Sequence, residues 1–135
     1  MILEILNRPS KISDEMLDSI VNHADRVLEL EELEELQIVF KAENNDTCGY
    51  FDGIGDEEEG VAVIEINSKK PIDEIVKTIF HEIVHVQQVL HGFFCVDEKT
   101  WHGDYFGDLD YDEKPWEIDA FSKERMLYSS WKTCT

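Results

Sequence analysis

His81, Glu82 and His85 form an H-E-x-x-H pattern, and that spacing carries chemistry if the segment is helical. Residues four apart lie on one helix face, so two imidazoles can offer nitrogen lone pairs to a single cation. Glu82 follows the first histidine and can lean over the same point without ligating. Two nitrogen donors, an open position for water and a carboxylate that takes the water's proton are the parts of a zinc-dependent hydrolase. The flanking residues supply the helix. Pro71 suits a first turn, where a missing N–H costs nothing. Asp73 and Glu74 place negative charge near the N-terminus, and Gly92 fits the left-handed position just past the end. Between them Ile72, Ile75, Val76, Ile79, Phe80, Ile83, Val84, Val86, Val89 and Leu90 make most of the circumference apolar, which predicts a largely buried helix. The plain alternative is a pair of core histidines bonded to carbonyls, with Glu82 exposed.

A catalytic zinc takes three protein ligands and water. His91 is one candidate, since the stretch reads H-E-x-x-H-x-x-Q-x-x-H and resembles the metzincin pattern. There a Gly at the eighth position lets the chain turn; here that position is Gln88. If the helix continues to Gly92, His91 sits about 9 Å along the axis beyond His85 and points off the ligand face. Its expected role is with carbonyls at a helix C-terminus. Glu117 is the better candidate. The segment Tyr111 to Trp131 predicts a second helix on which Glu117, Ala120, Phe121, Glu124, Leu127, Tyr128 and Trp131 share a face at about 100° per residue. An inward carboxylate is costly unless paired or bound to a cation. The other use of Glu117 would be to serve the helix's own N-terminal amides.

His81, Glu82 and His85 on one helix with Glu117 early in the next resemble the gluzincin branch of the zincin metallopeptidases. The run Pro115-Trp116-Glu117-Ile118-Asp119-Ala120 is similar to small zincin-like proteins encoded by bacteriophages, in which a P-W-E-x-x-A helix closely follows the H-E-x-x-H helix. The resemblance spans about residues 60–131 and includes Gly60 to Asn67, where such families place a strand along the cleft rim. It implies a minimal zincin-like domain with Zn2+ held by His81, His85 and Glu117, and Glu82 as the catalytic base. Many gluzincins carry an Asp four residues after the glutamate ligand. Phe121 stands there in this chain, so support for the ligands must come from elsewhere, with Asp119 and Glu124 as candidates.

The 135 residues suit one domain, 1–135, with one core. The predicted class is α+β: a small twisted sheet packed against an N-terminal helix, the H-E-x-x-H helix and a C-terminal helix. Strands are expected at 1–7, 36–42 and 61–66, with a helix from a Ser13 cap to Leu28. Asn44 to Gly60, rich in turn formers, reads as a mobile loop or an irregular hairpin. Phe93 to Asp110 reads as a hairpin, with Trp101, Tyr105 and Phe106 packing inward. His23 reads as a surface or boundary residue. Cys48, Cys95 and Cys134 lack metal or disulfide spacing and read as reduced thiols in a cytoplasmic protein. No apolar run approaches the roughly 18–20 residues of a membrane span, and the first residues lack a signal-like pattern.

A net charge of −19 argues against a nucleic-acid partner. The expected partner is a peptide or protein substrate, with Glu82 activating water for attack on a peptide bond. Tyr105, Tyr111, Tyr128 and His102 are the candidate donors to the anionic intermediate. The strand at 61–66, if at a sheet edge, could pair with an extended substrate. Two other readings compete. One is an acidic binding module, an inhibitor or DNA mimic, on a zincin scaffold without activity. The other is a structural zinc site closed by His91 or His102.

Overall fold

A computed structural model of the chain describes residues 1–54 and 60–134. The elements run β1 (Ile2–Leu6), α1 (Asp14–Leu28), β2 (Glu35–Lys41), β3 (Gly49–Ile54), β4 (Val61–Asn67), α2 (Ile72–Leu90), β5 (Phe94–Cys95), β6 (Thr100–Trp101), β7 (Asp104–Tyr105) and α3 (Pro115–Cys134). The class is mixed α+β, as the sequence predicts: a four-stranded sheet ordered β1-β2-β4-β3, a small sheet β5-β6-β7, and three helices. No helix among the described residues is long and apolar enough to cross a membrane.

Period-two patterning decides which face of the large sheet is covered. Leu36, Ile38 and Phe40 of β2 and Ala62, Ile64 and Ile66 of β4 are buried, and Ile38 pairs in register with Ile5 and Ile64. Helix α2 packs on this sheet through β3 and β4 and also touches α1 and α3, so it is the central element. That position explains its nearly uniform apolar surface. Helix α1 starts where expected: Ser13 accepts from the Met16 amide at 3.1 Å, a side-chain cap that satisfies an orphan N–H.

Helix α2 ends as its sequence predicts. Gly92 takes a φ of 81°, and the Gly92 and Phe93 amides donate back to the Val89 and Gln88 carbonyls at 3.1 and 2.8 Å. This Schellman closure turns the chain sharply and delivers Phe94 beside the site.

Four expectations need correction. The strand at 61–66 is not an edge: β4 lies between β2 and β3, with β3 antiparallel on its outer side. At 44–60, where a loop or an irregular hairpin is expected, the loop alternative falls: β3 pairs antiparallel with β4 with a register shift between Phe51 and Ile54, and the part at 55–59 lies outside the described residues. The C-terminal helix begins at Pro115, not Tyr111. The residues Tyr111–Glu113 form a separate 3-10 turn, and Lys114 is extended with ψ 131°, the conformation that a following proline imposes. Finally, the segment after α2 is a three-stranded meander in which Tyr105 is 58% exposed, while Trp101 and Phe106 are half-buried.

Candidate metal centre and cleft

The α2 and α3 helices bring three predicted residues together. One ligand atom from each of His81, His85 and Glu117 lies within 4.8 Å of the others, and all three residues are buried. Both imidazoles aim Nε2 at one carboxylate oxygen: His81 Nε2 is 2.9 Å and His85 Nε2 3.2 Å from Glu117 Oε1. Tetrahedral bonds of about 2.0–2.1 Å would set neighbouring donors roughly 3.4 Å apart. The two nitrogen-to-oxygen separations are within half an ångström of that, so each imidazole is spaced with the carboxylate as a donor to a shared divalent cation.

The outer ring nitrogens are also held. His81 Nδ1 faces Glu124 Oε1 at 3.0 Å, and His85 Nδ1 faces Gln88 Oε1 at 2.8 Å. Gln88 donates its amide nitrogen to the Trp116 carbonyl and to Asp119, both at 2.9 Å, which leaves its oxygen as the acceptor. Both histidines can therefore carry their proton on Nδ1 and present the Nε2 lone pair to the centre. Fixing the tautomer by a hydrogen bond to the other nitrogen is the usual way ligand rings are oriented. The support missing at Phe121 is supplied by Glu124 directly and by Asp119 through Gln88.

Charge follows from this packing. Burial opposes the charged form of His81, but the Glu117 and Glu124 carboxylates outweigh it and raise its pKa to about 9. His85 is raised for the same reason, burial being overcome chiefly by Glu117. Burial works to raise Glu117, and the two imidazole hydrogen bonds reverse that and bring it to about 2. Glu82 goes the other way: its burial dominates the pull of His85 and His81, and its pKa is raised. Two neighbouring carboxylates are thus pushed apart, one held as an anion and one able to carry a proton.

Glu82 lies between two cavities. The larger, about 520 Å³, is lined by Thr47, Glu74, Thr78 and Glu124 together with Cys48 and Phe121. The smaller, about 210 Å³, reaches His85, Glu117, Phe51, Phe94 and Trp116. Gly49, Glu82 and Tyr111 line both. Of the four candidate donors only Tyr111 is here. Burial of its hydroxyl end, with the Glu117 carboxylate beside it, pushes its pKa above the ordinary phenol range. Tyr105 reaches Asp108, Tyr128 donates to Asp73, and His102 stacks on Phe93.

His91 is not a ligand. Its Nε2 faces the Glu29 carbonyl at 2.9 Å, so it does serve a helix C-terminus, but that of α1 and not its own. With His102 also away, no histidine among the described residues closes the centre as a fourth ligand. Sequence reasoning missed three contributors: Gln88, Gly49 and the Phe94–Trp116 wall. Gln88 had a signal, since it stands three residues after His85 and so shares its face. A search of protein-family models finds no match to the chain, and a search of curated proteins finds none either.

Proposed function

We propose that this chain is a zinc-dependent peptide hydrolase of the gluzincin kind. The observation carrying this reading is the convergence of His81, His85 and Glu117 beside a buried Glu82. Two imidazoles and one carboxylate, with no fourth protein ligand among the described residues, are the donor set of a catalytic zinc. A zinc ion bound there would supply Lewis acidity and lower the pKa of water.

The chain's own residues do the rest. Glu82, with its raised pKa, accepts a proton from the attacking water and passes it to the leaving amine. Glu124 and Gln88 hold the two rings in register. Tyr111 donates its hydroxyl hydrogen to the oxygen that becomes negative as the carbonyl is attacked. Strand β3 has a partner on one side only among the described residues, and Gly49 brings its backbone to the cleft. An extended peptide fits there by strand addition, with backbone hydrogen bonds giving affinity.

The test is metal analysis of the purified chain together with hydrolysis of an unstructured protein substrate. Glu82→Ala should keep one zinc per chain and lose roughly 10²–10⁴ of the rate, whereas Glu117→Ala should lose the metal. Hydrolysis that persists in Glu82→Ala would remove the enzyme reading and leave an acidic binding module.

A further inference from the structure

We propose that the cavity walled by Phe51, Phe94, Val96 and Trp116 takes a large apolar side chain from the residue just before the cleaved bond. The proposal rests on the hydrolase reading and adds to it where selectivity lies.

The wall is built from three separate elements. Phe94, delivered by the turn after α2, stacks on Trp116 at the start of α3, with ring centres 4.4 Å apart and planes at 16°. Phe51 of β3 closes the opposite side. Trp116 is 5% and Phe51 9% exposed, so the floor is fixed by the core. Small-molecule sites run about 300–1,000 Å³. At about 210 Å³ this cavity is smaller and has room for one side chain. It opens onto Glu82 and Glu117, so whatever occupies it is held next to the reacting bond. The larger cavity on the other side of Glu82 carries Glu74, Lys77, Thr78 and Glu124 beside Phe121 and Tyr111, so the smaller one is set apart by its stacked Phe94–Trp116 pair.

Strand direction assigns the order. Residues 46–49, before and at the start of β3, line the larger cavity, and residues 49–51 line the smaller. A peptide added antiparallel to β3 therefore runs from the aromatic cavity to the larger one in its own N-to-C direction. The aromatic cavity receives the side chain on the N-terminal side of the cut. Placing a Phe, Leu or Met there removes apolar surface from water beside the reacting atoms, and a mismatched pocket of this type discriminates roughly 10–200-fold.

The experiment digests a reduced, denatured protein with the zinc-supplemented full chain and maps the new termini by mass spectrometry. Phe, Leu and Met should precede the cut at least roughly 10-fold above their abundance. Val96→Trp, which fills the cavity from its half-exposed side, should shift the preference to small residues. Phe94→Ala, which enlarges it, should favour larger ones. Termini without enrichment at that position, or enrichment only after the cut, would overturn the proposal while leaving hydrolysis intact. Absence of any new terminus would count against the hydrolase reading, and the cavity is then decided by binding. Glu82→Gln should bind a labelled extended peptide carrying one Phe roughly 10-fold tighter than its Asp counterpart. Val96→Trp in that background should abolish the difference, and equal binding by the two peptides would overturn the proposal.

Discussion

Gln88 is fully buried, and each polar group of its amide is used. Its oxygen faces His85 Nδ1, and its nitrogen donates to the Trp116 carbonyl and Asp119. One side chain thus orients a ligand ring and ties α2 to the turn of α3 that carries Glu117. Gln88→Leu would fill similar space while leaving the His85 imidazole N–H without its acceptor and Asp119 without one of its donors. Such orphaned groups cost about 1–3 kcal/mol, and loss of an orienting partner lowers metal affinity about 10–100-fold. Denaturant titration of the metal-free chain and zinc competition against a chromophoric chelator read the two effects separately. Unchanged zinc affinity would mean that His85 is held by packing alone. The grouping of His81, His85 and Glu117 was legible in the sequence because helical spacing fixes which side chains share a face. The contact of Glu124 with His81 was legible in part, since both helix stripes face inward. The contact across to Trp116 was not, because it depends on how two helices meet.

At the scale of elements, the approach of β3 to α2 shapes the cleft, and Gly49 permits it. A Cβ on residue 49 would lie 2.5 Å from Thr78 Cγ2, 3.0 Å from the Glu65 carbonyl oxygen and 3.3 Å from Glu82 Cγ. The first distance is too short for a side-chain carbon and the second is tight, so either Thr78 must turn aside or β3 must shift from α2. Gly49→Ala should destabilise the chain by about 1–3 kcal/mol, the usual cost of overpacking. It should also lower peptide hydrolysis more than zinc content, since it displaces Glu82 and the strand edge but not the ligands. Thr78→Ser removes the closest clashing atom and keeps the hydroxyl that donates to the Glu74 carbonyl at 2.7 Å. The double variant should therefore regain part of both losses; no recovery would place the strain at the Glu65 backbone instead. The helices were readable from their punctuation, Ser13, Pro71 and Gly92. Strand β3 was readable only as one of two alternatives, a loop or an irregular hairpin, because composition at 44–60 points to turns while its pairing with β4 leaves little apolar alternation to read.

Across the whole molecule, the first and last helices are joined by Trp131 Nε1 donating to Ser19 Oγ at 3.0 Å and by a buried histidine, His23, which the sequence places at the surface or boundary. The partner is Ser130, 107 positions away: His23 Nε2 lies 2.8 Å from Ser130 Oγ, and Arg26 Nη2 lies 3.2 Å from His23 Nδ1. A guanidinium can only donate, so Nδ1 must be the acceptor and the ring is neutral with its proton on Nε2. That proton goes to Ser130, whose hydroxyl in turn donates to the Leu127 carbonyl at 3.2 Å. Protonating Nδ1 would set two donors against each other. Burial, with the Arg26 charge added, lowers the His23 pKa. Above the unfolded value, about 6.5, the ring is neutral in both states and contributes no pH dependence. Below it the unfolded chain takes up a proton that the folded ring refuses, so stability falls with pH until the folded pKa is passed. His81 and His85 shift the other way. Their contribution is complete below about 6.5 and is lost only as pH rises through the folded values, so they do not add a loss on the acid side. Urea denaturation of the metal-free chain should therefore lose less stability in His23→Gln than in the wild type as pH falls below about 6.5. The variant keeps a donor for Ser130 and an acceptor for Arg26 but has no proton to gain. Parallel pH profiles for the two proteins would mean that the α1–α3 junction opens before His23 titrates.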